Sequence, residues 1–223
     1  MIEMFSPIVI SRNKKYGNNY WTSNGPKVGR KVGLYSDLEF DHFVRVDTNP
    51  NVITYCEQPL EISYVCNEKI HTSIFDMWIK YQDGEEVFVE IKYSIELKPH
   101  HHRYSRTMRQ IGAQQKWCEE NGYKHIVMTE ASIRESRIER ENRIKMLSIV
   151  SNMQKPDNTE KILCAIKMGR CTIQELLRKL DSEFTINKMI NICAWLMYTG
   201  VVCTNITETL WGHSTEVWID DEE

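Results

Sequence analysis

The sequence predicts an α/β fold: a mixed sheet flanked by helices, followed by a small helical region with short strands. Three observations predict it. Apolar residues alternate along 75–93, the period of half-buried strands. Amphipathic helical stretches stand before and after that segment. From about residue 134 the pattern turns to helices, with only short strand-like pieces behind them.

At 223 residues, 41% hydrophobic and 26% charged, the chain can bury a real core in one or two domains. The net charge of −3 says little, because charge is unevenly placed. No apolar run approaches the roughly 20 residues of a membrane span, and the first ten residues do not read as a signal peptide. Seven cysteines without a CxxC spacing read as reduced core thiols, so a cytosol is the expected compartment.

Residues 1–35 form a basic arm expected to pack with the domain that follows. Positions 5–36 hold no Asp or Glu but carry Arg12, Lys14, Lys15, Lys27, Arg30 and Lys31, interleaved with Tyr16, Tyr20 and Trp21. Lys14, Lys15, Arg30 and Lys31 would suit a nucleic-acid backbone. A flexible solubilising tail is the equal alternative.

Ser36-Asp37-Leu38-Glu39 then opens an amphipathic helix with Leu38, Phe43 and Val46 inward, ended by Asn49-Pro50. Ser36 and Glu39 fit a capping box. Val52 to Glu57 reads as a strand leading into Gln58-Pro59. Leu60, Ile62, Tyr64 and Cys66 alternate as another, which Asn67-Glu68 turns toward the strand carrying Asp76.

In the hairpin, pairing Ile79 with Val87, Met77 with Val89 and Phe75 with Ile91 gathers the apolar residues on one face. The loop is then Gln82-Asp83-Gly84, with Gly84 in the left-handed position. This register sets Asp76 opposite Glu90, with Lys92 on the same face, and two opposed carboxylates need a cation. Lys92, a lysine from elsewhere or a divalent metal would serve; two hard oxygens suit Mg²⁺ or Mn²⁺. The plain alternative is an open, solvated sheet face with an ordinary salt bridge, on which Trp78 and Phe88 also lie.

His100-His101-His102 is a poor metal site, because adjacent side chains point apart. Residues 103–121 read as a helix, with Met108, Ile111, Gln115 and Cys118 near one face and Gly122 as its stop. Arg106, Arg109 and Lys116 either face a phosphate chain or form a solvated surface. His125 to Met128 is a buried-looking strand, followed by Thr129-Glu130.

Residues 136–158 are expected to be a connecting helix and linker, with Pro156 in the linker. Helical segments at 159–168, 172–180 and 185–199, with strand-like pieces near 201–203, Leu210 and 217–219, would complete a winged helix-turn-helix over 159–219. Its third helix offers Lys188, Asn187 and Asn191 but little positive charge, which favours protein docking over groove reading. Residues 220–223 form an acidic tail.

The Ser-x-x-Glu helix, Tyr55-Cys56-Glu57-Gln58-Pro59, the strand aspartate Asp76, Glu90-Ile91-Lys92 and the closing Thr129-Glu130 together resemble the TnsA-type endonuclease subunit of heteromeric transposases. That family belongs to the PD-(D/E)xK, restriction-endonuclease-like nucleases, and the resemblance covers roughly residues 10–135. It implies a nuclease domain over 36–135, with Glu39, Asp76, Glu90 and Lys92 as catalytic residues. It implies Mg²⁺, or Mn²⁺, held by Asp76, Glu90 and the Ile91 carbonyl, with Glu39 contributing, and Gln58 behind them or on DNA. Phe75 stands where the motif has proline.

The function the resemblance implies is metal-assisted cleavage of DNA at the 5′ ends of a transposon in a bacterial cytoplasm, without a membrane partner. A DDE-type transposase subunit and an AAA+ ATPase regulator would be its partners. The alternatives are a restriction-type nuclease outside transposition and an inactive DNA- or protein-binding module.

Overall fold

A computed structural model describes residues 5–9, 19–180 and 184–220. Lys14 and Lys15 of the expected basic arm lie outside the described residues, as do positions 221–223 of the acidic tail. The chain divides into two compact units, one comprising Met1–Val46 and Val52–Glu135, the other Asp47–Asn51 and Ser136–Glu223.

In the first unit, β1 (Trp21–Gly25) and β2 (Arg30–Leu34) pair antiparallel, closed by a turn in which Gly29 has φ +65°. From residue 19 onward the arm is therefore packed structure and not a tail. Val32 and Leu34 are buried, and the Trp21 ring stacks on Phe40 at 4.7 Å. The next element, α1 (Asp37–Asp47), buries Leu38, Phe43 and Val46.

The main sheet has four strands in the order β3 (Val52–Glu57), β6 (Met77–Tyr81), β7 (Glu86–Ile91), β8 (Lys124–Met128). The first three run antiparallel, and β8 joins β7 in parallel, so the sheet is mixed. The predicted register holds: Met77 faces Val89 and Ile79 faces Val87, and Gly84 at φ +88° closes the loop. Between β3 and β6 the chain makes a separate ribbon of β4 (Glu61–Cys66) and β5 (Lys69–Ile74), turned by Asn67 and Glu68, both at positive φ as a tight hairpin requires.

Each face of the sheet carries a helix. Phe43 of α1 meets Tyr55 edge-on at 6.0 Å, on the face shared by Ile79 and Val87. On the other face, Cys56, Trp78 and Phe88 pack with Trp117 and Cys118 of α2 (Tyr104–Asn121) and with Phe5. The face expected to be open is thus covered, with Trp78 at 3% and Phe88 at 0% exposure. The apolar area of two aromatics outweighs solvation of the few charges between them. Within α2 the inward residues are Thr107, Ile111, Gln114 and Cys118; Met108 and Gln115, expected inward, point out. Gly122, left-handed at φ +76°, ends the helix. A short α3 (Glu130–Ile133) follows β8.

The second unit contains α4 (Arg137–Ser151), α5 (Thr159–Ile166), β9 (Cys171–Thr172), α6 (Ile173–Lys179), α7 (Ile186–Tyr198), β10 (Cys203–Thr204) and β11 (Glu216–Trp218). Its three strands pair antiparallel in the order β10-β11-β9. The expected Thr172-x-x-Glu175 capping box is present. Helix α4 is no free connector, because Met146 and Val150 lie in one apolar cluster with Ile162, Leu176, Ile192 and Val217. Buried Asn142 clamps the chain beyond β10, donating to the carbonyls of Ile206 and Thr209 and accepting from Trp211 N.

Candidate active site

The hairpin β6–β7 positions the two strand carboxylates. Its ladder ends at Met77 and Val89, so Asp76 stands just beyond it, with a half-buried side chain. Asp76 Oδ2 accepts the Ile91 N–H at 2.7 Å, while Oδ1 accepts no hydrogen bond among the described residues. Glu90 sits on the α2 side of β7 and is 1% exposed. Its Oε1 takes the Lys92 ammonium and Gln110 Nε2 (2.7 Å), and its Oε2 takes Gln114 Nε2 (2.7 Å). Gln114 also donates to Ser73 Oγ of β5 at 3.1 Å, tying the small ribbon to this carboxylate.

Burial, and next the charge of Asp76, push Glu90 up to about 7 against the pull of Lys92. For Lys92, burial acts to lower the pKa, but Glu90 and then Asp76 outweigh it and hold the ammonium well above the usual lysine range. The site therefore keeps a permanent cation beside two carboxylates that repel each other.

Glu39 and Gln58 extend this arrangement. Glu39 is buried at the start of α1, where Oε2 accepts from Tyr35 N (3.0 Å), Oε1 from Ser36 Oγ (3.2 Å), and its own N–H donates to Ser36 Oγ (3.1 Å). The cap expected from Ser-x-x-Glu is made, and the same carboxylate also meets Gln58 Nε2 at 3.4 Å. Gln58 in turn donates its backbone N–H to the Asp76 carbonyl at 3.0 Å, and Ile8 N–H caps the Gln58 carbonyl at 2.9 Å. One buried residue thus bridges the helix carboxylate and the strand aspartate. It does so at φ +41°, a conformation costly for a non-glycine and held only by surrounding structure. Glu130 bonds Ser94 and braces the turn after Lys92.

The basic residues of the expected arm behave differently. Arg30 Nη1 pairs with buried Glu57 at 2.6 Å, so its charge is engaged inside the unit; Lys31 is exposed. Among the described residues no group of three or more His, Cys, Asp or Glu is placed to hold a metal ion, and this covers Glu39 with Asp76 and Glu90 as well as the three consecutive histidines. Asp76 Oδ1, just before β6, and the remaining lone pair of Glu90 Oε2, on β7, are hard oxygens whose mutual repulsion a divalent ion would relieve. Two such oxygens would fit a divalent ion as part of its shell, the remainder being water or phosphate.

Gln110 and Gln114 are an i,i+4 pair of amides on the helix after the hairpin; the apolar spacing of 103–121 alone sets the inward face at Gln115, one residue past the buried Gln114.

Residues 49–130 match the family model for the TnsA-like endonuclease N terminal. The head completion nuclease of Enterobacteria phage T4 is 33% identical over 72 residues, which are 31% of this chain and 48% of that protein. The chain thus spans about half the length of that relative. Over the segment that carries Gln58, Asp76, Glu90 and Lys92, the chain is similar to the TnsA-like N-terminal endonuclease domain that its sequence resembles.

Proposed function

We propose that the chain is a divalent-metal-dependent DNA endonuclease, with Glu39, Asp76, Glu90 and Lys92 as its catalytic residues. The observation that carries this is the gathering of Asp76, Glu90 and Lys92 on one hairpin inside the segment that matches a nuclease family. When bound, Mg²⁺ or Mn²⁺ supplies Lewis-acid polarisation of a phosphate and a more acidic water. Asp76 Oδ1, Glu90 and the Ile91 carbonyl would hold the ion. Gln110 and Gln114 fix the Glu90 carboxylate, and Gln58 fixes Glu39 relative to the Asp76 backbone. Lys92 orients the attacking water and offsets the negative charge that develops as water's oxygen bonds phosphorus and the P–O bond to the leaving strand breaks.

The finer reading is cleavage at the 5′ ends of a transposon, beside a DDE-type transposase and under an AAA+ ATPase regulator. The order α5-β9-α6-α7-β10-β11 supports reading the second unit as a winged helix. Helix α7 turns Met189, Ile192, Leu196 and Met197 into the unit's own core and exposes Asn187, Asn191 and one cation, Lys188; that scarcity of positive charge favours docking over groove reading. The phage relative favours a second reading, a nuclease outside transposition.

Two substrates separate them: plain duplex with the chain alone, and transposon-end DNA with the partner transposase added. Metal-dependent 5′-strand cuts only with the partner support the transposase role. Equal cutting of plain duplex by the chain alone supports the second reading, and no cutting in either, with the partner's own 3′ cuts intact, overturns both.

A further inference from the structure

From Leu97 to Cys118 the chain has 22 residues without an Asp or Glu, and these carry Lys98, Arg103, Arg106, Arg109, Lys116 and three histidines. The run contains α2, the helix whose Gln110 and Gln114 hold Glu90. Arg103, Arg106 and Arg109 are exposed, and none of the three guanidinium groups forms an ion pair among the described residues. That contrasts with Arg30, Arg134 and Arg143, each of which is paired with a carboxylate. Lys116 at the far end leans on Glu120 at 3.7 Å.

At 100° per residue, Arg103, the cap residue of the helix, and Arg106 lie within about 40° of Gln110 around its axis, two turns and one turn before it respectively, and Arg109 lies about 100° round on the outer side. The buried stripe of Thr107, Ile111, Gln114 and Cys118 anchors this face to the sheet, so the arginines stand on a rigid element. An exposed cation row with no internal partner, on the helix that holds a candidate catalytic carboxylate, has the charge and the position to hold a polyanion over that carboxylate.

We propose that Arg103 and Arg106, with Arg109 at the flank, form the phosphate track that seats duplex DNA across the Glu90 end of β7. This rests on the nuclease reading for its purpose but not for its measurement. Binding of a labelled duplex by the full chain is followed in EDTA, where no cleavage is needed, at a series of salt concentrations. The double variant R103Q/R106Q should lower the slope of log K against log[salt] by about two and weaken binding at least tenfold near 0.15 M salt. The control R137Q, on an exposed arginine that pairs with Glu141, should leave both unchanged. An unchanged slope in R103Q/R106Q, an equal loss in R137Q, or no duplex binding by the wild-type chain would each overturn the track. Absence of cleavage by the wild-type chain in Mg²⁺, with binding intact, would instead strike the nuclease reading alone.

Discussion

Asp76 and Lys92 differ in what their removal should cost. Asp76 Oδ2 accepts one backbone N–H and the residue is half-buried, so Asp76→Asn can keep that bond through its amide oxygen and lose only the charge. Lys92 is the cation against a 1%-exposed carboxylate, and breaking such a pair costs about 3–5 kcal/mol. Lys92→Ala should therefore lower the urea midpoint as well as stop cleavage, and an unchanged midpoint would contradict the buried pair. His42 gives a prediction independent of the site. Burial, then Arg45, lower its pKa from 6.5 to about 4, and its Nδ1 has no partner among the described residues. The unfolded chain binds a proton below pH 6.5 that the folded chain refuses until about 4, so stability falls as pH drops through that window. The loss should reach about 3 kcal/mol at its foot. Urea melts at pH 7 and pH 5 should show this slope in the wild type and a flatter one in His42→Phe; equal slopes would contradict it. For single residues the sequence is readable where spacing decides: Ser36 and Glu39 make a cap because they stand three positions apart. It was not readable for Gln114, because a one-residue error in the phase of a helix exchanges an inward amide for an outward one.

The elements show the same division. The register of β6 and β7 was legible because strict alternation admits one pairing that gathers Met77, Ile79, Val87 and Val89. The covered second face was not, since Trp78 and Phe88 stand among Lys80, Glu86 and Glu90 and alternation cannot report a helix laid over them later. β1 escaped notice because its sequence WTSNG has no alternating pattern; it is held by the Trp21 contact with Phe40 and by Trp21 Nε1 bonding Asp37 at 2.7 Å. β5 is mostly exposed and carries no apolar face to betray it. The Arg30–Glu57 pair joins β2 to β3, and Glu57 is 3% exposed. Arg30→Ala should cost about 3–5 kcal/mol of stability by leaving that carboxylate without a counter-charge, with only the Gly33 N–H at 3.4 Å. Its effect on the salt dependence of DNA binding should be small. Thermal unfolding and a salt titration of the same variant check this together, and a stable protein with weakened DNA binding would return Arg30 to the role of a DNA contact.

For the whole molecule, the patterning turns from alternating to helical near residue 134, close to Ser136, where the longer segment of the second unit starts. The chain from 136 to 158 reads as a connector because α4 is highly charged and its apolar anchors are sparse. Met146 and Val150 nevertheless complete the second core. Removing residues 159–223 would strip them of their partners, and the shortened chain should self-associate on a sizing column; a monomer with unchanged melting would contradict that core. No described helix is long and apolar enough to cross a membrane. Strand cleavage of labelled DNA by wild type and Asp76→Asn, in Mg²⁺, Mn²⁺ and EDTA and with folding matched by circular dichroism, decides whether Asp76 holds the metal. Cuts that need the metal and fall at least 100-fold in Asp76→Asn are the predicted result. Cuts that persist in the variant or in EDTA would contradict a metal-dependent site built on Asp76.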